Sequence, residues 1–194
     1  QSGIIEAMTD ATSVDSIKRQ LLKTHNTSSL EFYYRLRFPI DPPEGNSVVS
    51  LQQARENAMG SVAAYAVVQY LLQLKDRHNG NILIDGEGRL IHIDFGFIFD
   101  YSPGKDMRFE SANFKMTKEF VKILGGTEQA EPYKLFVQKT IQGFLAIRQH
   151  HRELMNLAEL LHYSGFAGFK PTSLQALASR LRMDGPTAAF NDLA

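Results

Sequence analysis

The sequence contains no cysteine, which excludes disulfide frameworks, thiolate zinc sites and cysteine nucleophiles together. Carboxylate, amide, imidazole and hydroxyl chemistry remain. It also has no charge excess. The 21 Lys plus Arg balance 21 Asp plus Glu, so no global field draws the chain to nucleic acid or to an anionic bilayer, and any anionic partner meets a local patch. Long hydrophobic runs are missing too: the fullest, Val62 to Leu74, is interrupted by Gln69 and Gln73 and falls short of the about 20 residues a membrane span needs. That run predicts a buried helix. No basic start followed by an apolar stretch marks a signal peptide, and the abrupt opening at Gln1 reads as a cut through a longer protein.

What is present is the composition of a soluble globular protein, with 194 residues, 43 % hydrophobic and 22 % charged, enough for one domain or one lobe of a larger unit. Turn residues and caps divide it into mostly helical segments. A short apolar stretch from Gly3 to Met8 precedes a helix from about Ser13 to Leu22. Ser28 with Glu31 has capping-box spacing and predicts a helix through Arg37; Pro39, Pro42, Pro43 and Gly45 then mark an exposed connector. Ser50 with Gln53 repeats the spacing and starts the longest helix, expected to run to Leu74 in the centre of the fold. Two β-rich runs, 82–85 and 89–93, flank Gly86-Glu87-Gly88 and predict a hairpin. The stretch from Phe95 to Lys115 has no clean period and reads as a long, functional loop. Helices are expected again at about 117–124, at 132–148 continuing through His162, and at 173–182.

The chemistry concentrates around the hairpin. Asn81 immediately precedes its first strand and Asp94 immediately follows its second, so antiparallel pairing returns both to the open end. With paired strands about 5 Å apart, an amide oxygen and a carboxylate there can share one hard cation, since Mg²⁺ binds oxygen at about 2.1 Å. Asp76 and His78 lie in the tight turn before the hairpin, beside that pair, where one of them could accept a proton from an attacking hydroxyl. Protein kinases hold a catalytic Asp five positions before a metal-binding Asn and use Asp-Phe-Gly as the second metal anchor; Asp76 to Asn81 has that interval, and Asp94-Phe95-Gly96 is present. The order around the base is reversed, Asp76-Arg77-His78. Arg77 is expected to anchor this turn electrostatically.

That reversed order is similar to the phosphatidylinositol 3- and 4-kinase superfamily. Asp76 to Ile82, Ile91 to Phe97, Ser102-Pro103-Gly104 and Phe114-Lys115-Met116-Thr117 together resemble the catalytic and activation loops of type III phosphatidylinositol 4-kinases. Gln52 to Arg55, Ala63-Ala64-Tyr65 and Leu71-Leu72-Gln73 resemble the alpha form most closely. The resemblance implies a mainly α-helical carboxy-terminal lobe with a small β-hairpin, comprising hinge and lobe over 1–194, a catalytic loop at about 74–82 and an activation loop at about 94–117.

It implies a lipid kinase that moves the γ-phosphoryl of ATP, with Mg²⁺ or Mn²⁺, onto the 4-hydroxyl of phosphatidylinositol. By the same resemblance Glu6 and Met8 offer backbone groups to adenine, and Leu83 and Ile93 form the apolar floor beneath it. His78 is the general base with Asp76 orienting it or sharing the role, and Asn81 and Asp94 bind metal. Lys105, Arg108 and Lys115 are the activation-loop cations available to a lipid headgroup, although the alpha-form loop usually has small residues where Lys105 to Arg108 stand. The implied partners are phosphatidylinositol in a membrane, regulatory or scaffold proteins, and the rest of the same polypeptide; the implied location is cytoplasmic and peripheral at plasma-membrane, Golgi or endoplasmic-reticulum surfaces. No nucleic acid is expected.

No glycine-rich phosphate loop follows a strand and no strand lysine precedes the hinge, so the small amino-terminal lobe is expected to lie outside this chain, and 1–194 alone is expected to be inactive. The closing amphipathic helix of the family is also not recognisable after Asp184. His92 alternates with Ile91 and Ile93 and reads as a core imidazole; His25, His150, His151 and His162 have no partner at metal-ligand spacing. Three other functions are compatible with parts of the pattern: a protein kinase of the same superfamily, a metal hydrolase using His78, His92 and Asp94, and a non-catalytic scaffold lobe.

Overall fold

Three serines start the helices of the amino-terminal half, each accepting a hydrogen bond from the backbone N–H three residues on. In the computed structural model, which describes residues 4–43, 45, 48–99, 112–165 and 169–181, Ser13 caps α1 (Val14–His25), Ser29 caps α2 (Leu30–Arg37) and Ser50 caps α3 (Leu51–Leu72). The second cap is thus Ser29, not Ser28. Glu31 does not turn back to close a box, because its carboxylate pairs with Arg35 one turn on (2.8 Å) and faces Arg55 of α3 (3.7 Å). At Ser50 the box is half formed: Gln53 gives its backbone N–H to Ser50 but its side chain to Asn57.

The central helix stops two residues earlier than its apolar run predicts. Gln73 adopts a left-handed conformation (φ 51°), and the Leu74 N–H folds back onto the Gln69 carbonyl, so the chain turns while Leu74 stays buried. The second half of the chain forms α4 (Lys118–Ile123), α5 (Glu131–Gln149), α6 (His151–Tyr163) and α7 (Pro171–Arg180). The expected continuation beyond residue 148 is a break. His150 leaves helical geometry (ψ 23°), and α5 and α6 are separate. α5 packs along α3.

The hairpin is part of a three-stranded antiparallel sheet in the order β1 (Thr12–Ser13), β2 (Ile82–Ile84), β3 (Leu90–His92). β1 adds an edge strand that was not expected, since two residues carry no period-2 signal. Ser13 pairs with Leu83, and Ile82 with His92. The hairpin turn is held by the Asp85 carboxylate, which accepts the N–H groups of Glu87 (2.9 Å) and Arg89 (2.8 Å). Gly88 needs its φ of +82°, and a Cβ there would lie 2.9 Å from that of Ala54. The turn therefore sits directly on α3.

From there the chain follows α3 in step. Glu87 accepts from the Asn57 amide, Leu90 donates to the Ser61 hydroxyl, the His92 ring stacks on Tyr65 and the Phe99 N–H bonds the Leu72 carbonyl. One core gathers Val14, Ile17, Leu30, Tyr34, Ile84 and Phe120 between the first helices, the sheet and α4; a second gathers Val67, Leu71, Phe144, Phe169 and Leu181 around the carboxyl end of α3. No described helix is long and apolar enough to cross a membrane.

Candidate active site

The turn that carries Asp76 and His78 leaves the end of α3, and two aspartates shape the site by adopting left-handed backbone conformations, Asp76 and Asp94, each with φ 60°. Asp tolerates this region better than most residues, and such outliers persist only where the surroundings hold them. Here the holding group is Arg77. Its side chain is only 2 % exposed, and its guanidinium donates to the carbonyls of Lys75 (2.8 Å), Ile93 (2.7 Å) and Asp94 (2.5 Å). The anchor includes three backbone carbonyls, and it ties the turn after α3 to the strand end that carries Asp94. The guanidinium also lies over the Phe95 ring, 5.9 Å from its centroid.

Asn81 is buried, and its amide nitrogen donates to the Asp76 carbonyl (3.0 Å), which assigns the amide and leaves Oδ1 as the free acceptor. The Ile93 N–H donates to the Asn81 carbonyl (3.0 Å), extending the β2–β3 pairing by one step. Asn81 therefore stands opposite Ile93, and Asp94 follows it at the same open end of the hairpin. The Asp94 Oδ1 accepts the Gly96 N–H (3.2 Å) in a local turn. An amide oxygen and a carboxylate are hard donors of the type Mg²⁺ and Mn²⁺ take, so this pair fits the expected cation chemistry.

The Asp76–His78 pair has a definite polarity. His78 Nδ1 accepts the Gly80 N–H (3.0 Å), so in the neutral ring the proton sits on Nε2, which faces the Asp76 carboxylate at 3.8 Å. In this arrangement the free lone pair belongs to Asp76. A base role at Nε2 of His78 requires the ring to break from Gly80.

His92 behaves as a packing residue. Burial, reinforced by the Arg77 charge, lowers its pKa to about 4, and the neutral ring stacks on Tyr65 with centroids 4.3 Å apart. It lies on the inner face of the sheet with Ile82, Ile84 and Leu90. Among the described residues no group of three His, Cys, Asp or Glu side chains is arranged to hold a metal, so nothing there supports the hydrolase arrangement.

The opposite face of the hairpin carries half-buried to exposed apolar side chains. Leu83 stands across from Ile91, and Ile93 continues that face, 36 % exposed. Glu6 and Met8 are exposed in the irregular segment that leads to β1, the neighbour of β2. Lys105 and Arg108 lie outside the described residues. Lys115 is half-buried between Phe114 and Met116, which pack on the first core, and its N–H donates to the Gln69 side chain (2.9 Å). Asp76, His78, Asn81 and Asp94 are thus brought to one turn and one hairpin end, while Lys115 is held against α3 at Gln69. Sequence reasoning missed the parts played by Gln69 and Asp85; the available signal for Gln69 was a polar residue inside the most apolar run.

Two carboxylates and an amide meet on this helix–turn–hairpin unit. The family model for phosphatidylinositol 3- and 4-kinases matches residues 9–170, and the chain belongs to that family. It is 39 % identical over 168 residues to phosphatidylinositol 4-kinase stt4 of Schizosaccharomyces pombe, covering 87 % of this chain and 8 % of that protein. It is 39 % identical over 187 residues to phosphatidylinositol 4-kinase beta 2 of Arabidopsis thaliana, covering 94 % and 16 %. It is 38 % identical over 197 residues to phosphatidylinositol 4-kinase PIK1 of Saccharomyces cerevisiae, covering 94 % and 18 %. The chain thus spans less than a fifth of the length of these relatives.

Proposed function

We propose that this chain is the hinge and carboxy-terminal lobe of a phosphatidylinositol 4-kinase, which transfers the γ-phosphoryl of ATP to the 4-hydroxyl of phosphatidylinositol. The observation that carries the reading is the return of Asn81 and Asp94 to one hairpin end, beside Asp76, in a chain 37 to 41 % identical to proteins named phosphatidylinositol 4-kinases. Residues 74–82 form the catalytic loop and 94–117 the activation loop in this reading. The glycine-rich phosphate loop and its lysine come from the small lobe elsewhere in the same polypeptide.

A divalent cation, when bound, neutralises the β- and γ-phosphates of ATP. Asn81 Oδ1 and the Asp94 carboxylate would hold it, with Arg77 fixing the Asp94 backbone and the Asp76 carbonyl orienting the Asn81 amide. Asp76 takes the proton of the attacking hydroxyl, and His78 Nε2–H orients that carboxylate. Leu83 and Ile93 supply the apolar floor for adenine, and the backbone of Glu6 and Met8 hydrogen-bonds the base. Lys115, with Lys105 and Arg108, meets the anionic headgroup. The enzyme works peripherally at a membrane surface, recruited by partner proteins.

The test is a lipid-against-peptide phosphorylation assay on the full-length enzyme, with the product identified by position. Phosphatidylinositol 4-phosphate is the expected product. Phosphorylation of peptides alone would assign the protein-kinase alternative instead, and transfer to the 3-hydroxyl would move the chain to the other branch of its family.

A further inference from the structure

Gln69 is 2 % exposed within the most apolar part of α3, among Ala66, Val67, Tyr70 and Leu71. A buried amide there is costly unless its hydrogen bonds are made, and Met or Leu would fill similar space. Both of its polar atoms are used. The amide nitrogen donates to the Tyr65 carbonyl (3.1 Å), which fixes the plane and directs Oε1 away, where it accepts the backbone N–H of Lys115 (2.9 Å). Three residues on, the Leu72 carbonyl, left without an intrahelical partner at the helix end, accepts the Phe99 N–H (2.7 Å).

One turn of α3 therefore fastens the chain where it departs, at Phe99, and where it comes back, at Lys115. Positions 69 and 72 are neighbours on one helix face, about 5–6 Å apart. Phe114 and Met116 pack on the core, so Lys115 is held by contacts on both sides and by Gln69 at its own backbone. Its ammonium pairs with no carboxylate among the described residues. The residues proposed above to hold the cation are fastened elsewhere: Arg77 holds the Asp94 carbonyl, and the Asp76 carbonyl holds the Asn81 amide. The two fastenings are separate.

We propose that Gln69 is a positioning residue for lipid recognition: by fixing the backbone of Lys115 it presents that lysine to the phosphodiester of the phospholipid headgroup. This rests on the lipid-kinase reading above. Loss of the clamp then weakens lipid binding and leaves ATP binding alone.

The experiment compares full-length wild type with Gln69→Met, which fills the space without an acceptor, and Gln69→Glu, whose protonated acid keeps both hydrogen bonds. On phosphatidylinositol–phosphatidylcholine vesicles, the Met variant should raise the lipid KM about five- to tenfold, the worth of one hydrogen bond, with the ATP KM unchanged. The Glu variant should restore most of it. Amide exchange at Lys115 should accelerate about tenfold in Gln69→Met. Equal changes in both KM values, or an unchanged Lys115 exchange rate, overturn the proposal for Gln69. A wild-type enzyme inert toward phosphatidylinositol overturns the lipid-kinase reading and the headgroup role with it, whatever the exchange rate reports.

Discussion

The Arg77 guanidinium donates to the backbone carbonyl of Asp94, 17 residues away in sequence, at 2.5 Å. A buried cation thus links the turn after α3 to the strand end through a backbone acceptor. Its other bonds, to the carbonyls of Lys75 and Ile93, spread the charge over three backbone acceptors in a fork that a lysine cannot reproduce. Arg77→Lys should therefore lower the unfolding free energy by about 2–4 kcal/mol, because it leaves a charge and several carbonyls buried and underpaired. Chemical denaturation checks this. Retention of the wild-type midpoint would remove Arg77 from its anchoring role.

The turn that Asp94 makes with Gly96 and the cation role proposed for it can be separated. Asp94→Asn keeps the turn to Gly96 and the tolerance for φ 60°, yet removes the negative charge. In the full-length enzyme it should lower kcat at least about a hundredfold with little change in Tm. Asp94→Ala should lose the same activity and, in addition, about 1 kcal/mol of stability from the left-handed backbone. Turnover retained by either variant would remove Asp94 from the cation site.

Asp76 and His78 should differ in kind. With Gly80 occupying Nδ1 of His78, Asp76→Asn removes the proposed proton acceptor and should cost about 10²–10⁴ in kcat. His78→Gln keeps a donor beside the carboxylate and should cost less. Steady-state kinetics at saturating ATP decide the order, and a larger loss at His78 would show that the ring turns away from Gly80 and serves as the base.

Tyr34 tests the packing behind the site. Its hydroxyl, wholly buried and with its pKa pushed up by burial, donates to the Gly88 carbonyl at 2.6 Å. Tyr34→Phe leaves that carbonyl unpaired and should destabilise the protein by about 1–3 kcal/mol without altering KM for ATP. Thermal unfolding alongside an ATP titration separates the two effects.

Much of this arrangement was legible in the sequence because its signals are local. Ser50 with its following apolar positions announces α3, and the glycines around Glu87 announce a hairpin whose pairing of Ile82 with His92 carries Asn81 and Asp94 to one end. What was not legible depends on partners distant in sequence. Ser28 and Ser29 have equal capping chemistry, and the choice between them follows from where Glu31 finds Arg35 and Arg55. β1 is two residues long and exists only because β2 offers it an edge. Gln69 looked like an interruption of an apolar run; its purpose emerges only when Lys115 arrives from 46 residues away.

The stepwise pairing of residues 87–99 with Asn57, Ser61, Tyr65 and Leu72 makes α3 a measuring rod for everything downstream. Inserting or deleting a single residue in its middle would swing the later positions by about 100° and displace them by about 1.5 Å. Every attachment beyond the lesion would then miss together. Length variation in this part of the chain should be borne by the connector between α2 and α3, which precedes the first graduation.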